Sequence, residues 1–384
     1  MSSSVRDPVG RGTRRPARSL CRFARCHGGG PLRGGAIAVC LVGAWGAVGA
    51  AAEPAATAEM PPAAVADAAG IDAAVDRGLA WLVAAQATDG SWGSGGFRGS
   101  AAVTAQVVMA LVAAGNTPTA GRQATAVRRG VAFLCGCAAP DGLIAGDERA
   151  AHGPMYAHVF ATTALAEVHG ETDDDERVGR ILRAAHDLLV RSQDESGGWR
   201  YKPARGEADL SVTAAALVAL RGLLNGGFEV DAPAVERAVR YLESMQNPDG
   251  GFRYLGGEGP SGSPRTAAAV FALLVAERTG EVVDRGFGWL DDHPIVPGGS
   301  DGYSLYGLSY EAAARWRRRP AAADPRWEAW HARTARLLLD AQRPDGAWPD
   351  PSCAEYGTAA AIAVLCVPRG TTPLFEVERA EERP

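Results

Sequence analysis

Few residues of this chain have both the type and the setting to do chemistry. Asp209 opens Asp209-Leu210-Ser211-Val212-Thr213-Ala214, where a carboxyl beside an apolar segment could hold or release a proton. His158, in Met155-Tyr156-Ala157-His158, is the residue type suited to a general base. Arg265 supplies a cation that could pair with Asp209. Asp301-Gly302-Tyr303-Ser304-Leu305-Tyr306 brings a second carboxyl and two phenols, and Tyr356 a third. If one end of a cavity gathered them, Tyr156, His158, Asp209, Arg265, Asp301, Tyr303, Tyr306 and Tyr356 would make a polar floor under apolar walls. Each also has a plainer reading. A lone His near a helix start serves as a core or capping residue, and Asp209 suits an N-cap. Asp173-Asp174-Asp175 reads as a solvated helix start. No Ser/His/Asp triad, phosphate loop or specific glycosidase carboxylate pair is identifiable.

The elements that must position these residues come from internal repetition. Gln86…Trp92, Gln193…Trp199, Gln246…Phe252 and Gln342…Trp348 each place an aromatic six residues after Gln, with Gly four after it and Leu four before it. Two worn copies start at Ala138 and Pro294, so the anchors 86, 138, 193, 246, 294 and 342 are spaced 52, 55, 53, 48 and 48 residues apart. Before each anchor runs an amphipathic segment, as in Val235–Gln246, and after it an Ala-rich segment apolar on every side, as in Val212–Leu224. The pattern predicts six helical hairpins with an outer and a buried inner helix, joined by Asp-Gly turns. Six units favour closure, which leaves no uncapped end: an all-α (α/α)6 toroid. The inner segments share a Thr at 104, 213, 266 and 358. His158 and Tyr306 take that place in the second and fifth units, and these departures single them out.

Composition bounds the rest. The chain has 384 residues, 47% apolar, with mean hydropathy −0.08 and net charge −5, which is globular composition. Residues 1–52 carry eight Arg and one Asp, so the remainder is strongly acidic and offers no electrostatic footprint for nucleic acid. The basic stretch precedes the apolar run Ala36–Ala52 and reads as a signal peptide, residues 1–52, followed by an Ala/Pro-rich linker, 53–70. The toroid is expected over 71–370 and a tail over 371–384. Export to the periplasm or outside the cell follows, or an N-terminal membrane anchor if the signal is not cleaved. No transmembrane segment is expected after cleavage, since no later run approaches the roughly 20 apolar residues needed. Cys135, Cys137, Cys353 and Cys366 are too scattered for a disulfide scaffold or a zinc knuckle and read as core residues. Neither metal nor cofactor is expected.

The Gln-x-x-[Asp/Ser]-Gly-x-Trp element resembles the QW repeat of squalene–hopene cyclases and related terpenoid cyclases, whose α/α-toroid also serves protein prenyltransferase β-subunits. The likeness covers about residues 71–368 and is nearest to secreted "prenyltransferase and squalene oxidase repeat" proteins. It implies that Gln86, Gln193, Gln246 and Gln342 bond nearby backbone while Trp92, Trp199, Phe252 and Trp348 stack, pinning adjacent hairpins. The cyclases protonate a polyene with Asp-x-Asp-Asp-Thr-Ala. Asp209, Thr213 and Ala214 match, but Ser211 and Val212 replace the second and third Asp. The prenyltransferase zinc motif Asp-Gly-Cys-Tyr-Ser becomes Asp301-Gly302-Tyr303-Ser304, without its Cys. The thioester motif of the complement group is not supplied by Cys135-Gly136-Cys137-Ala138. The resulting expectation is an exported toroid without these chemistries that binds an apolar or isoprenoid small molecule, or a protein partner. The alternatives are a divergent terpenoid cyclase or prenyltransferase-like enzyme, and a carbohydrate-active (α/α)6 enzyme.

Overall fold

A computed structural model describes residues 68–146, 153–299, 303–319, 324–372 and 374. Residues 1–52, read from the sequence as a signal peptide, residues 53–67 of the segment read as linker, Asp301 and residues 375–384 lie outside the described residues. The outer helices are α1 (Ala68–Ala85), α3 (Ala124–Gly136), α5 (Asp175–Ser192), α7 (Ala232–Ser244), α9 (Glu281–Asp292) and α11 (Pro325–Ala341). The inner ones are α2 (Ala101–Ala113), α4 (Met155–Val168), α6 (Leu210–Asn225), α8 (Ser263–Val275), α10 (Ser304–Arg318) and α12 (Ala354–Cys366). Aspartate side chains start three of the outer helices. Asp174 accepts from the Arg177 amide, Asp231 from Ala234 and Asp324 from Arg326, the last two with an early proline. Helix α1 begins at Ala68, three residues inside the segment read as linker, because Ala74, Val75 and Leu79 give it a buried face.

The six inner helices pack in the cyclic order α2, α4, α6, α8, α10, α12 and back to α2, so the ring closes as expected. Alanine permits it: in α6, Ala214, Ala215, Ala216 and Ala219 are all buried, and such small side chains let the backbones approach. The pairing differs from the expected outer-then-inner hairpin: α3 lies mainly on α2, α5 on α4, α7 on α6 and α9 on α8, each on the inner helix that precedes it, while α1 docks on α12. The sixth inner helix thus finds its outer partner at the other end of the chain, which ties the ring shut.

The repeat elements do the joining. Gln193 Nε2 donates to Gly197 O (2.7 Å) in its own turn and to Ala234 O (2.8 Å) at the start of the next outer helix. Gln86 does the same to Gly90 and Ala126, and Gln246 to Gly250 and Val282. Gln342 reaches Gly346 and, across the closure, Ala74 in α1 (2.8 Å). Each ring that follows is buried, and the indoles of Trp92, Trp199 and Trp348 donate to the carbonyls of Leu82, Leu189 and Leu338. Gly78 makes room for the last of them: a Cβ there would stand 2.8 Å from the Trp348 ring.

Past α12 the chain does not run free. Thr371 Oγ1 donates to Ala113 O at the end of α2 (2.6 Å), and Arg317 Nη1 from α10 donates to Leu374 O (3.0 Å). Thr372 and Leu374 are buried. The first residues read as tail therefore cross the end of the ring opposite the inner-helix starts.

Candidate functional site

An inner helix has neighbours on both sides and an outer helix behind it, so surface retained in its first turns can face the ring axis. Along α2 the residues that keep some are Ala102, Gln106 and Met109, spaced as one helical stripe. In the first turns of α4 they are Tyr156 and Phe160, of α6 Ser211, of α8 Ser263, Pro264 and Arg265, of α10 Tyr306 and Ser309, and of α12 Ala354 and Tyr356. Tyr156, Tyr306 and Tyr356 are half-buried by surface, yet burial dominates their titration and holds each phenol well above its ordinary pKa. All three stand in the first turn of their helices, α4, α10 and α12. Ring contacts run along α4 and α10, and one reaches from α4 to the turn at Tyr201. Tyr156 lies 5.7 Å from Phe160 and 6.2 Å from Tyr201, and Tyr306 lies 4.8 Å from Tyr310. Tyr306 also feels Tyr156 and Tyr356 electrostatically, which joins α4, α10 and α12 in one cluster.

Asp209 stands beside this cluster. It caps α6, with Oδ1 accepting from the Val212 amide (2.9 Å), and is fully buried. Oδ2 has no hydrogen bond. Burial outweighs the capping bond and pushes the carboxyl up to about 6. Its nearest cation is Arg200, with Nε 3.9 Å from Oδ2, and not Arg265 as the sequence suggested. Arg200 follows Trp199, whose carbonyl bridges to the Asp209 amide, so the turn itself delivers the guanidinium. Arg265 instead folds back over its own helix start at Gly262 and lies near Tyr254.

Two other sequence-derived residues, His158 and Tyr303, fall elsewhere. His158 is fully buried away from the lumen: its Nδ1 accepts from the Ile144 amide (3.2 Å). Thr104, Thr213, Thr266 and Thr358 make this same bond to the amides of Trp92, Trp199, Phe252 and Trp348. The position faces the turn, so the larger side chain is a substitute latch rather than a cavity base. Burial lowers its pKa to about 4. In the fifth unit the equivalent place belongs to Gly307, where a Cβ would stand 2.7 Å from Ile295 Cδ1, and Tyr306, one residue earlier, turns to the lumen. Tyr303 is 48% exposed, at the rim.

Sequence reasoning passed over Tyr201, Tyr254, Tyr310 and Asp350. The hydroxyls of Tyr201 and Tyr254 touch. Both stand two residues after the repeat aromatic, in Trp199-Arg200-Tyr201 and Phe252-Arg253-Tyr254, a signal in register that inspection of inner segments alone does not reach. Asp350 lies near Tyr303 and Tyr356, its pKa raised by burial. Among the described residues no three His, Cys, Asp or Glu side chains group as metal ligands, and no helix is long and apolar enough to cross a membrane. The four described cysteines are free thiols.

Residues 156–307 match the family model of the squalene-hopene cyclase C-terminal domain. The squalene–hopene cyclase of Bradyrhizobium diazoefficiens is 30% identical over 208 residues, which cover 47% of this chain and 30% of that enzyme. The match thus spans less than a third of the relative's length. A variant of MstE, a type II terpene cyclase from Scytonema in complex with its substrate geranylgeranyl dihydroxybenzoate, superposes with a TM-score of 0.55 at 16% identity, covering 79% of this chain and 98% of that one. The α-1,6-mannanase GH76A of Salegentibacter sp. HEL1_6 superposes with a TM-score of 0.58 at 9% identity, over 78% and 99%. At such identities the structural likeness is one of fold. The chain is a distant homologue of squalene–hopene cyclase, built on the toroid that terpene cyclases and glycoside hydrolases share.

Proposed function

We propose that the protein holds an apolar or isoprenoid ligand in its lumen and does not cyclise it. The observation that carries this reading is the tyrosine cluster: Tyr156, Tyr306 and Tyr356 are crowded by neighbours yet keep accessible surface. Aromatic walls with a few convergent hydroxyls suit a long hydrocarbon bearing one polar group. That MstE takes a geranylgeranyl substrate on the same toroid is in keeping with it.

Protonating an alkene requires an acid far stronger than an ordinary carboxyl. Asp209 is displaced the other way, up to about 6, and the neighbouring Ser211 and Val212 supply no second carboxyl. Its cap bond to Val212 further assigns Oδ1 to the backbone. The leader supports export of the toroid, so the ligand would be met outside the cytoplasm.

Mass spectrometry of an organic extract of the purified protein tests the reading. An isoprenoid or comparable lipid should co-purify, and Tyr306→Ala should lower its retention roughly tenfold by removing one wall of the cluster. Squalene and oxidosqualene should be recovered unchanged. A cyclic triterpene that disappears in Asp209→Asn would replace this reading with that of a divergent cyclase.

A further inference from the structure

Among the described residues, every arginine that is at least partly buried makes a hydrogen bond or an ion pair, except Arg265. Its neighbours at the same end of the ring are all held. Arg200 pairs with Glu207 and stands 3.9 Å from Asp209, and Arg253 Nη1 donates to Asn247 Oδ1 (3.2 Å). Arg265 lies in the first turn of α8, keeps part of its surface, and has its Nε buried without a partner.

Its place is fixed by what surrounds it. Ser263 Oγ donates to His293 O (3.0 Å), and a Cβ on Gly307 would stand 2.9 Å from Pro264 Cα, so the start of α8 is seated against the α9–α10 connection and α10. Ser100 and Asp209 fill the cap positions of α2 and α6 with bonding side chains. Gly262 leaves the cap position of α8 empty, and the guanidinium lies over it: a Cβ there would fall 2.6 Å from Arg265 Nη2. The titratable group that bears on this cation is the phenol of Tyr254. The Tyr254 hydroxyl touches that of Tyr201, whose ring lies 6.2 Å from Tyr156, so Arg265 adjoins the tyrosine cluster. Burial holds the guanidinium below its ordinary pKa, as expected of a cation drawn from water without a counter-charge.

The missing counter-charge has a definite chemistry. A guanidinium presents paired N–H groups that match the two oxygens of a planar carboxylate. The site offers one such cation, which suits one negative charge; a diphosphate would need a second, and Arg200 and Arg253 are already engaged. Beside Arg265 the phenols of Tyr254 and Tyr156 are kept neutral by burial, so they add donors and apolar surface without adding negative charge.

We propose that Arg265 is the head-group site for a long-chain isoprenoid carboxylate, with the carboxylate on the guanidinium and the chain among the tyrosines; this rests on the lumen reading given above. Farnesoic acid is a suitable probe, and farnesol, the same chain without the charge, is its control. In calorimetric titrations of the full chain at neutral pH, the acid should bind about tenfold more tightly than the alcohol, the scale of one charge-assisted contact. Arg265→Gln should remove that difference by weakening the acid alone, and Arg265→Lys should keep part of it. Arg98→Gln, exposed in the α1–α2 connection at the same end of the ring, should change neither. An acid–alcohol difference that survives Arg265→Gln, or an equal loss of both probes in that variant, would overturn the proposal. Equal binding of the two probes to the wild type would overturn it and leave the lumen reading standing, whereas binding of neither would remove both.

Discussion

Burial moves Asp209 and His158 in opposite directions, so they shape the pH dependence of stability in opposite ways. For Asp209 the folded pKa of about 6 lies above the ordinary 3.8, and the folded state keeps a proton that the unfolded chain has lost. Stability is therefore fullest below pH 4 for this group and falls as pH rises through 6, by about 3 kcal/mol. Asp209→Asn keeps an oxygen for the Val212 amide without the charge. Its melting temperature should fall less than the wild type's between pH 4 and 7, and an identical decline would show that Asp209 is not the titrating group. Glu167, pushed up to about 8 by burial near Leu374, has the same sign, with its loss spread from 4.5 to 8. His158 works from the acid side. Folded it titrates near 4 against an ordinary 6.5, so stability drops as pH falls through that window. His158→Thr restores the side chain used in four sister units and should flatten the acid limb of the melting curve between pH 6.5 and 4. An unaltered limb would mean that another group titrates there. The identity of these residues was readable in the sequence. Their directions were not, because one helical position decides whether a side chain meets the turn or the lumen.

Between helices, the repeat's Gln and Trp bear the junctions. Trp199→Ala removes a buried ring and the indole bond to Leu189, and should cost about 3–5 kcal/mol. Trp199→Phe keeps most of the ring and loses the bond, so about 1–2 kcal/mol is expected. Equal effects of the two in denaturant melts would assign the stability to the hydrogen bond alone. Gln193→Ala deletes two donated bonds and the one accepted from Arg237 Nε, for about 2–3 kcal/mol. Hydrogen exchange should then rise first in the first turn of α7 and the end of α5, the segments this amide joins. The sequence made these elements legible because the same six-residue spacing recurs. It left the junction after Pro294 looking merely worn, and gave no sign of the cavity that side chains of α9, α10 and α11 line.

Closure is a property of the whole ring, and the bond from Gln342 to Ala74 is its signature. Gln342→Ala should loosen α1 and α12 together, although they lie at opposite ends of the chain, and hydrogen exchange in both would report it. Faster exchange confined to the turn after α11 would mean that the ends are not joined through this residue. The C-terminal crossing makes the two faces of the ring unlike. Thr371, Arg317 and Leu374 cover the far end, and the tyrosines gather towards the inner-helix starts.

Local patterning by itself determined the all-α class, the six units and the residues that pin them. Helical period, turn chemistry and the Gln-to-aromatic spacing are each written within a few residues. Which candidates share a site was decided only by tertiary structure. Asp209 took Arg200 rather than Arg265, His158 became a latch, and Tyr201 and Tyr254 joined the lumen from turns. The physical reason is that an inner helix offers three kinds of neighbour within one turn: the axis, the adjacent inner helix and the outer layer. Rotating a side chain by one position, about 100°, exchanges one for another, and only the packed ring fixes that rotation.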